Sequence, residues 1–351
     1  MKILVRAPNW VGDAVMSIPA LDAIRARWPD AELFTLALPG IADLLRGQAR
    51  AGRLIVFDRA GRHAGVFGRE RLAAELRRER FEAAVLFQNA FDAAWITWRA
   101  RIRERIGYAR DARGFLLTRA VPVPANGEIP SHESFYYLEL LRRAGWLAQL
   151  PERVEIALRI EPAACEAAEA KLAESGARAG VLRCAIAPGA AFGSARCWLP
   201  DRYGKLASRL QAECGAEVIL LGASAEAALA REIVQAANGA VIDLVGKTKM
   251  AEVPALLAAC DLFVGNDSGL THVAGAVGLP IVGLYGPTDP EATRPADARL
   301  EIIRQPVSCS PCFLRECPVD HRCMTRIEVD HVFAAAQRLI EQRRRRAGVT
   351  S

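Results

Sequence analysis

The sequence has no uninterrupted apolar run of the roughly 18 to 20 residues that a membrane-spanning helix needs. Its start, Met1-Lys2-Ile3-Leu4-Val5-Arg6, becomes polar too soon for a secretory signal. No Gly-x-Gly-x-x-Gly follows a predicted strand, and Gly246-Lys247-Thr248 lacks the upstream glycine of a complete phosphate loop. These absences disfavour membrane, dehydrogenase and P-loop proteins, and we expect a cytoplasmic chain.

The charge balance is only modestly basic. The chain has 351 residues, 52% of them hydrophobic, and a formal net charge of +6. Such an excess favours an acidic ligand or an anionic membrane surface over nucleic-acid binding. The arginine run 343–346 is interpreted as a solvated helix end, with contact to anionic lipid as the alternative. Five scattered cysteines are expected to be reduced core thiols: Cys165, Cys184, Cys197, Cys214 and Cys260.

Predicted strands and helices alternate along the whole chain. This rhythm indicates an α/β fold with two doubly wound parallel sheets. Strands are predicted at 2–6, 32–38, 53–57, 84–87 and 105–108 in the first half, and at 184–187, 217–221, 241–244, 262–264 and 280–284 in the second. The predicted domains are 1–160 and 161–327, joined by a linker near 146–162. The remaining segment, 328–351, is predicted to be a helix that packs back on the first domain and ends in a basic tail.

The most informative segment of the second domain is Gly265-Asn266-Asp267-Ser268-Gly269, which follows a buried strand and opens a helix. Backbone N–H groups and the positive end of the helix dipole would meet an anion at such a turn. Polar side chains crowd beside the glycines, including Thr271 and His272. An ordinary crossover turn is the alternative.

The first domain carries a similar polar turn between its first strand and first helix. Asp13 follows Gly12 there, at the carboxyl end of a parallel strand, where open α/β sheets place ligands. An Asp at this position can cap the helix. It can equally act as a general base that takes a proton from an acceptor hydroxyl. The position alone does not separate the two roles.

Three segments, taken in order, resemble one known family. The segments are Pro8 to Leu21, Asn266 to Ala274 and Leu284 to Thr288. They resemble the ADP-heptose:lipopolysaccharide heptosyltransferases, glycosyltransferase family 9, and among these the members that add the second heptose. The likeness extends over most of the chain.

The resemblance implies a GT-B architecture of two facing Rossmann-like domains, with the acceptor bound mainly to the first and the nucleotide-sugar to the second. It implies an inverting transfer of L-glycero-D-manno-heptose from ADP-heptose to the heptose of the lipopolysaccharide inner core. Asp13 matches the family's base. The positions that match its donor-binding turn and phosphate contacts are Arg196, Asp267, Ser268, Gly269, Leu270 and His272. Arg196 stands where the family usually has a lysine. Its planar guanidinium can donate two parallel hydrogen bonds, whereas a lysine ammonium acts as a point charge.

Acceptor contacts are predicted less sharply. Arg110 and Arg113 could bind the phosphates or carboxylates of an acidic acceptor, although a solvated basic loop is the alternative. Asn89 follows a predicted strand at the ligand edge, and Asn9 and Trp10 belong to the turn before Asp13. The implied acceptor is a lipid-anchored inner core at the inner face of the inner membrane, so peripheral membrane contact is also expected.

A cysteine cluster near the carboxyl end has metal-like spacing. Cys309, Cys312, Cys317 and Cys323 form a C-x2-C-x4-C-x5-C pattern with His321 among them. Structural zinc is one interpretation, and a reduced or oxidation-sensitive loop is the favoured one. No Asp-x-Asp pair is present to hold a metal on a diphosphate. We therefore expect a transferase that needs no metal or cofactor.

Two other functions fit the same residues. One is a GT-B transferase that adds the first heptose or uses another nucleotide-sugar. The other is a non-catalytic nucleotide-sugar or phosphoglycan binding protein, which would have no use for Asp13. Replacing Asp13 and testing heptose-primed and unprimed acceptors would separate them.

Overall fold

The computed structural model describes residues 1–239, 241–296, 298–346 and 348. The chain divides into two compact units, Met1–Ile156 and Ala157–Ser351. Among the described residues, no helix is long and apolar enough to cross a membrane.

The first unit is built on a sheet of six parallel strands in the order β3-β2-β1-β4-β5-β6. In chain order these are β1 (Lys2–Arg6), β2 (Glu32–Ala37), β3 (Arg53–Val56), β4 (Ala83–Leu86), β5 (Glu104–Tyr108) and β6 (Arg119–Val121). The strand order changes direction between β1 and β4: β2 and β3 lie on one side of β1, and β4, β5 and β6 lie on the other. The carboxyl ends of β1 and β4 therefore flank the place where such sheets bind ligands.

Helices connect these strands and bury their apolar sides on the sheet. They are α1 (Val11–Met16), α2 (Ile18–Arg27), α3 (Pro39–Leu45), α4 (Gly65–Glu79), α5 (Phe91–Arg99) and α6 (Glu133–Arg143). One core cluster joins Leu4 of β1 to Leu72 of α4 and Ile96 of α5. All three side chains are fully buried, as expected for strands covered by helices.

The second unit repeats the architecture with the strand order β12-β11-β10-β7-β8-β9. Its strands are β7 (Arg183–Ala187), β8 (Glu217–Leu220), β9 (Val241–Asp243), β10 (Leu262–Asn266), β11 (Ile281–Tyr285) and β12 (Leu300–Arg304). The order reverses between β7 and β10, so the turns that follow these two strands are the expected ligand edge.

The helices of the second unit follow the same alternation. They are α7 (Pro162–Glu174), α8 (Pro200–Cys214), α9 (Ala227–Ala236), α10 (Val253–Ala258), α11 (Gly269–Ala276), α12 (Pro290–Thr293), α13 (Arg322–Thr325) and α14 (Val329–Arg346). The core of this unit joins Val264 of β10 and Leu206 of α8 to apolar residues of α14. The predicted α/β class with two doubly wound parallel sheets is confirmed.

The carboxyl-terminal helix belongs to the core of the second unit. Helix α14 packs against α8, β10, β11 and β12 of that unit, and its packing on the first unit stays a prediction. Its apolar face supplies Val332, Phe333, Ala336 and Ile340 to the core of that unit. This face is therefore already occupied. The predicted basic tail falls partly on residues 347 and 349–351, which lie outside the described residues.

Several elements were not predicted, among them the short helices α12 and α13. Strand β6 has only three residues, and β12 is half-buried throughout. Helix α7 is rich in alanine and buries only Ala168 and Leu172, so it lacks a clear apolar stripe. His132 is the N-cap of α6, and its side chain accepts a hydrogen bond from the N–H of Ser134.

Candidate active site

In the first unit, Asp13 lies in the first turn of α1, beside the carboxyl end of β1. Trp10 occupies the N-cap, so Asp13 is not the capping residue. A carboxylate in the first turn of a helix is favoured by the exposed N–H groups and the helix dipole. Asp13 is half-buried, which leaves it in contact with solvent.

Arg6 holds the turn that leads to Asp13. Its side chain is buried at the end of β1, and Nη2 donates to Oδ1 of Asn9 over 2.6 Å. The N–H of Asn9 donates to Oε1 of Gln88, which follows β4, over 2.8 Å. Burial lowers the pKa of Arg6 to about 10. Asn9, predicted as an acceptor contact, thus joins the turns after β1 and β4, and sequence reasoning missed both of its partners.

Arg113 is not placed as its prediction suggested. It is fully buried, its Nε donates to the carbonyl of Tyr108 over 3.1 Å, and Nη1 donates to the carbonyl of Gln88. Nη2 donates to Oδ1 of Asn89 over 2.7 Å. A buried guanidinium with these partners positions Asn89, and a direct contact of Arg113 with an acceptor phosphate stays a prediction. Burial lowers the pKa of Arg113 to about 10.

Asn89 and Arg110 converge on Tyr136 of α6. Asn89 donates from Nδ2 to the Tyr136 hydroxyl over 2.8 Å. A hydrogen bond between Arg110 and Tyr136 is the largest cause of the raised pKa of Arg110. Unlike Arg113, Arg110 is exposed, so its guanidinium is available to an anionic ligand.

Glu133, the first residue of α6, is an acidic neighbour that sequence reasoning missed. Burial and then the charge of Asp13 raise its pKa, while Arg110 opposes the shift. Tyr137 lies four residues further along α6 and is buried. Burial, followed by the charge of Asp13, raises the pKa of its hydroxyl as well. The structure therefore brings Asp13, Glu133 and Arg110 close enough for their charges to interact.

In the second unit, Asn266 joins the two turns at the ligand edge. It ends β10, and its Nδ2 donates to the carbonyl of Pro188, just after β7, over 2.6 Å. Its Oδ1 accepts from the N–H of Trp198 at 3.1 Å and from the hydroxyl of Tyr203 at 2.9 Å. This fully buried amide fixes the loop that carries Arg196 next to the start of α11.

Arg196 and Asp267 form a close ion pair, with Nη1 3.1 Å from Oδ2. Nη1 also donates to the backbone carbonyl of Asp267 over 3.3 Å, and Thr293 donates to Oδ2 over 3.2 Å. The guanidinium lies 4.4 Å from the ring centre of Phe192. The Nε of Arg196 is buried and makes no hydrogen bond with the described residues. Arg196 is thus held in place by Asp267 and Phe192, with one buried donor unsatisfied by the described residues.

The amino end of α11 presents the remaining donor-binding candidates. Ser268 is its N-cap, and Gly269 and Leu270 are its first two residues, all partly exposed. The Ser268 hydroxyl lies 3.2 Å from that of Thr271. The first N–H groups of a helix have no partner within it, so they can bind an anion. His272, by contrast, is buried in the helix.

Two buried hydroxyls lie beyond this turn. Those of Tyr285, at the end of β11, and Thr288 make no hydrogen bond with the described residues. Burial, followed by the charge of Asp267, raises the pKa of Tyr285 well above its ordinary value. Because buried polar atoms in proteins are nearly always paired, these atoms indicate a place for a polar ligand or water.

The cysteine-rich segment, residues 309–323, supports both turns through its backbone. The N–H groups of Cys312 and Phe313 donate to the carbonyl of Pro287 over 3.0 and 2.8 Å. The carbonyl of Arg315 accepts from the N–H of Ala195 over 3.0 Å. His321 Nε2 lies 2.7 Å from the carbonyl of Ala195. The segment therefore clamps the loop that precedes Arg196 and the turn after β11.

The thiols of this segment lie near one another and form no disulfide. Burial and the neighbouring thiols raise the pKa of Cys323, and all nine cysteines are free. Among the described residues, no group of three or more His, Cys, Asp or Glu side chains is arranged to hold a metal ion. The zinc interpretation of Cys309, Cys312, Cys317 and Cys323 gains no support from this arrangement.

Comparison with known proteins identifies the family. Residues 69–322 match glycosyltransferase family 9 (heptosyltransferase). The chain is 31% identical over 314 residues to lipopolysaccharide heptosyltransferase 2 of Salmonella typhimurium, covering 87% of this chain and 88% of that protein. It is 30% identical over 321 residues to lipooligosaccharide heptosyltransferase 2 of Haemophilus influenzae, with the same shares covered.

A solved structure agrees with these relatives. The E. coli ADP-heptose lipopolysaccharide heptosyltransferase II matches with a TM-score of 0.81 and 27% identity, covering 97% of this chain and 99% of that one. The chain belongs to glycosyltransferase family 9, the heptosyltransferases. The resemblance to this family is confirmed, and so is the prediction of a glycosyltransferase.

Proposed function

We propose that this protein transfers L-glycero-D-manno-heptose from ADP-heptose to the heptose of the lipopolysaccharide inner core, as the second heptose of that core. The observation that carries this assignment is the likeness to heptosyltransferases 2 along 87% of the chain. A first-heptose transferase is not favoured, because the full-length relatives reported above share the second-heptose name. We place the reaction in the cytoplasm, at the inner face of the inner membrane, where a lipid-anchored acceptor would be met.

The proposed chemistry is a single inverting displacement. A hydroxyl of the acceptor heptose attacks the anomeric carbon of the donor, and the bond from that carbon to the diphosphate oxygen breaks. Asp13 takes the proton of the attacking hydroxyl as general base. Its half-exposed position in the first turn of α1 supports this role.

The leaving diphosphate gains negative charge as the bond breaks. We assign its stabilisation to the N–H groups of Ser268, Gly269 and Leu270 and to Arg196. A preorganised helix end and a fixed guanidinium are the groups that stabilise developing charge. Asp267 orients Arg196 through the 3.1 Å ion pair. The sequence has no Asp-x-Asp pair, and we propose turnover without a metal.

We propose that acceptor contacts come from Arg110, Asn89 and the Asn9-Trp10 turn of the first unit. Arg110 is exposed and close to Tyr136, to which Asn89 donates. Arg113 acts behind Asn89 by holding its amide oxygen.

The test is Asp13→Asn, assayed with ADP-heptose on heptose-primed and unprimed inner core, with product masses measured. We expect kcat to fall about 10²- to 10⁴-fold, which is the usual contribution of a general base, while the Kd for ADP stays unchanged. Asp43→Asn is the control, because Asp43 lies on α3 in an exposed ion pair with Arg46. EDTA should leave turnover unchanged.

Three outcomes would contradict these assignments. Unchanged turnover in Asp13→Asn would remove the base. Transfer only to unprimed core would make the protein a first-heptose enzyme. A wild-type protein that binds ADP-heptose but makes no product on either acceptor would overturn the transferase itself.

A further inference from the structure

One edge of the first unit carries exposed apolar side chains. Phe67 is 89% exposed, Phe115 79%, Val66 67% and Phe91 45%. We refer to these four residues as the apolar edge. Large exposed aromatics are uncommon on a soluble surface, and several together mark an interaction site.

The fold gathers these residues from three separate elements. Val66 and Phe67 lie at the start of α4, Phe91 starts α5, and Phe115 lies in a short 3-10 helix after β5. The rings of Phe91 and Phe115 have their centres 6.3 Å apart. Arg69 and Asp92 form an ion pair at 3.5 Å, which brings the start of α4 to the start of α5. All three elements begin at the carboxyl ends of strands, so they share one edge of the sheet.

Cations border the apolar edge. Arg71 follows Phe67 by four residues on α4, which places the two side chains on one face of the helix. Arg59 lies in the turn that leads to α4, and both arginines are exposed. Among the described residues, neither has an acidic group within ion-pair distance. Arg110, also exposed, stands five residues before Phe115.

We propose that the apolar edge docks on an anionic phospholipid surface. Phenylalanine side chains would enter the region between headgroups and acyl chains, and Arg59 and Arg71 would meet the phosphates. Phenylalanine and arginine are also common in protein interfaces, so a second copy of the chain is an alternative occupant that the test separates. The proposal rests on the proposed function, since Asn89 and Arg110 lie at the same edge and would then face a lipid-anchored acceptor.

The test is sedimentation of the full chain with vesicles of phosphatidylethanolamine, with and without phosphatidylglycerol. We expect binding only to the anionic vesicles, and weaker binding as salt is raised. The double variant Phe67→Ser/Phe115→Ser should lower the bound fraction at least about tenfold. Arg59→Gln/Arg71→Gln tests the charges separately. The control is Trp98→Ser, because Trp98 is 44% exposed at the opposite end of α5.

The same variants separate this proposal from the proposed function. With a soluble acceptor oligosaccharide that carries no lipid, both double variants should have the same turnover as the wild type. If the wild type itself is inactive on this acceptor, the result contradicts the proposed transferase and not the membrane proposal. The membrane proposal is overturned if the wild type does not bind anionic vesicles. It is also overturned if Phe67→Ser/Phe115→Ser binds them to the same extent as the wild type. It is also overturned if that variant converts a dimer to a monomer, because the edge would then join two copies.

Discussion

At the scale of single residues, Asp13 and Glu133 are two acidic groups of the first unit whose charges interact. One lies in the first turn of α1 and the other begins α6, 120 positions later in the chain. Burial and the charge of Asp13 both disfavour the ionised form of Glu133, and Arg110 only partly offsets them. The charge state of Glu133 therefore depends on Asp13, as expected for two carboxyl groups that lie near each other.

Glu133→Gln tests this relationship. The pKa of Glu133 in the folded protein lies above its ordinary value of 4.5. Protonation of Glu133 therefore stabilises the fold at low pH, and this contribution is lost as pH rises through the raised pKa. Glutamine does not titrate, so Glu133→Gln does not lose stability at this position as pH rises. The free energy of unfolding of the variant should therefore increase relative to that of the wild type between pH 4.5 and neutrality. Urea unfolding at several pH values measures it.

The same variant should change the pH profile of turnover. Repulsion between two carboxylates is mutual, so removing one charge should move the acidic limb of the kcat profile to lower pH. Glu166→Gln, at an exposed position of α7, is the control for both measurements. An identical pH dependence of stability in Glu133→Gln and the wild type would remove the proposed coupling.

At the scale of elements, the cysteine-rich segment 309–323 shows how a loop can serve a site without touching the reacting atoms. Its backbone holds Ala195 on one side and Pro287 on the other. The contact is close enough to require a glycine: a Cβ at Gly193 would lie 2.2 Å from the carbonyl oxygen of Arg315. Arg315 also lies over the ring of Phe192, 5.0 Å from its centre, and Arg196 lies 4.4 Å from the same centre.

Gly193→Ala should therefore separate the two loops. Overpacking of a tight contact costs about 1 to 3 kcal/mol of folding free energy. The displaced loop carries Arg196, so we also expect weaker ADP binding, that is, a higher Kd. Calorimetric titration and urea unfolding give both quantities.

Gly40→Ala on α3 is the matched control, because its Cβ would meet no atom within 4 Å. It should leave ADP binding unchanged and keep or slightly raise stability. If Gly193→Ala bound ADP as the wild type does, the segment would have no positioning role.

The most deeply buried strands were all predicted from the sequence, whereas the edge strands were predicted only in part: β3 and β9 were, and β6 and β12 were not. Strands such as β1 and β10 are continuous buried runs, and both were predicted. The edge strands β6 and β12 expose polar side chains, so their patterns do not differ from those of loops. The amphipathic α14 was predicted as a helix, but its contacts with α8 and β10 were not, because an apolar face does not specify which apolar surface covers it.

The site residues divide in a similar way. Motif and resemblance selected Asp13, Arg196 and Ser268, and their roles stay predictions. Glu133, Arg6 and Asn266 acquire their importance from partners distant in the chain, which spacing in one sequence does not reveal. Arg113 was selected for its charge, yet burial makes it a support for Asn89.

At the scale of the whole molecule, each unit has a complete sheet and a core of its own. The second unit keeps all six of its strands, and α14 closes its core with Val332, Phe333 and Ile340. The residues assigned to the donor all belong to this unit, as do the loops and the cysteine-rich segment that hold them. The residues assigned to base and acceptor all belong to the first.

We therefore predict that residues 157–351 expressed alone fold cooperatively and bind ADP, but transfer no heptose. A domain with its own core is able to fold independently. Circular dichroism should show a single thermal transition, and calorimetric titration should give a Kd for ADP within about tenfold of that of the full chain. The same fragment carrying Asp267→Asn is the control, because loss of the ion pair releases Arg196 and should weaken ADP binding. A folded fragment with no affinity for ADP would show that the donor site needs residues of the first unit.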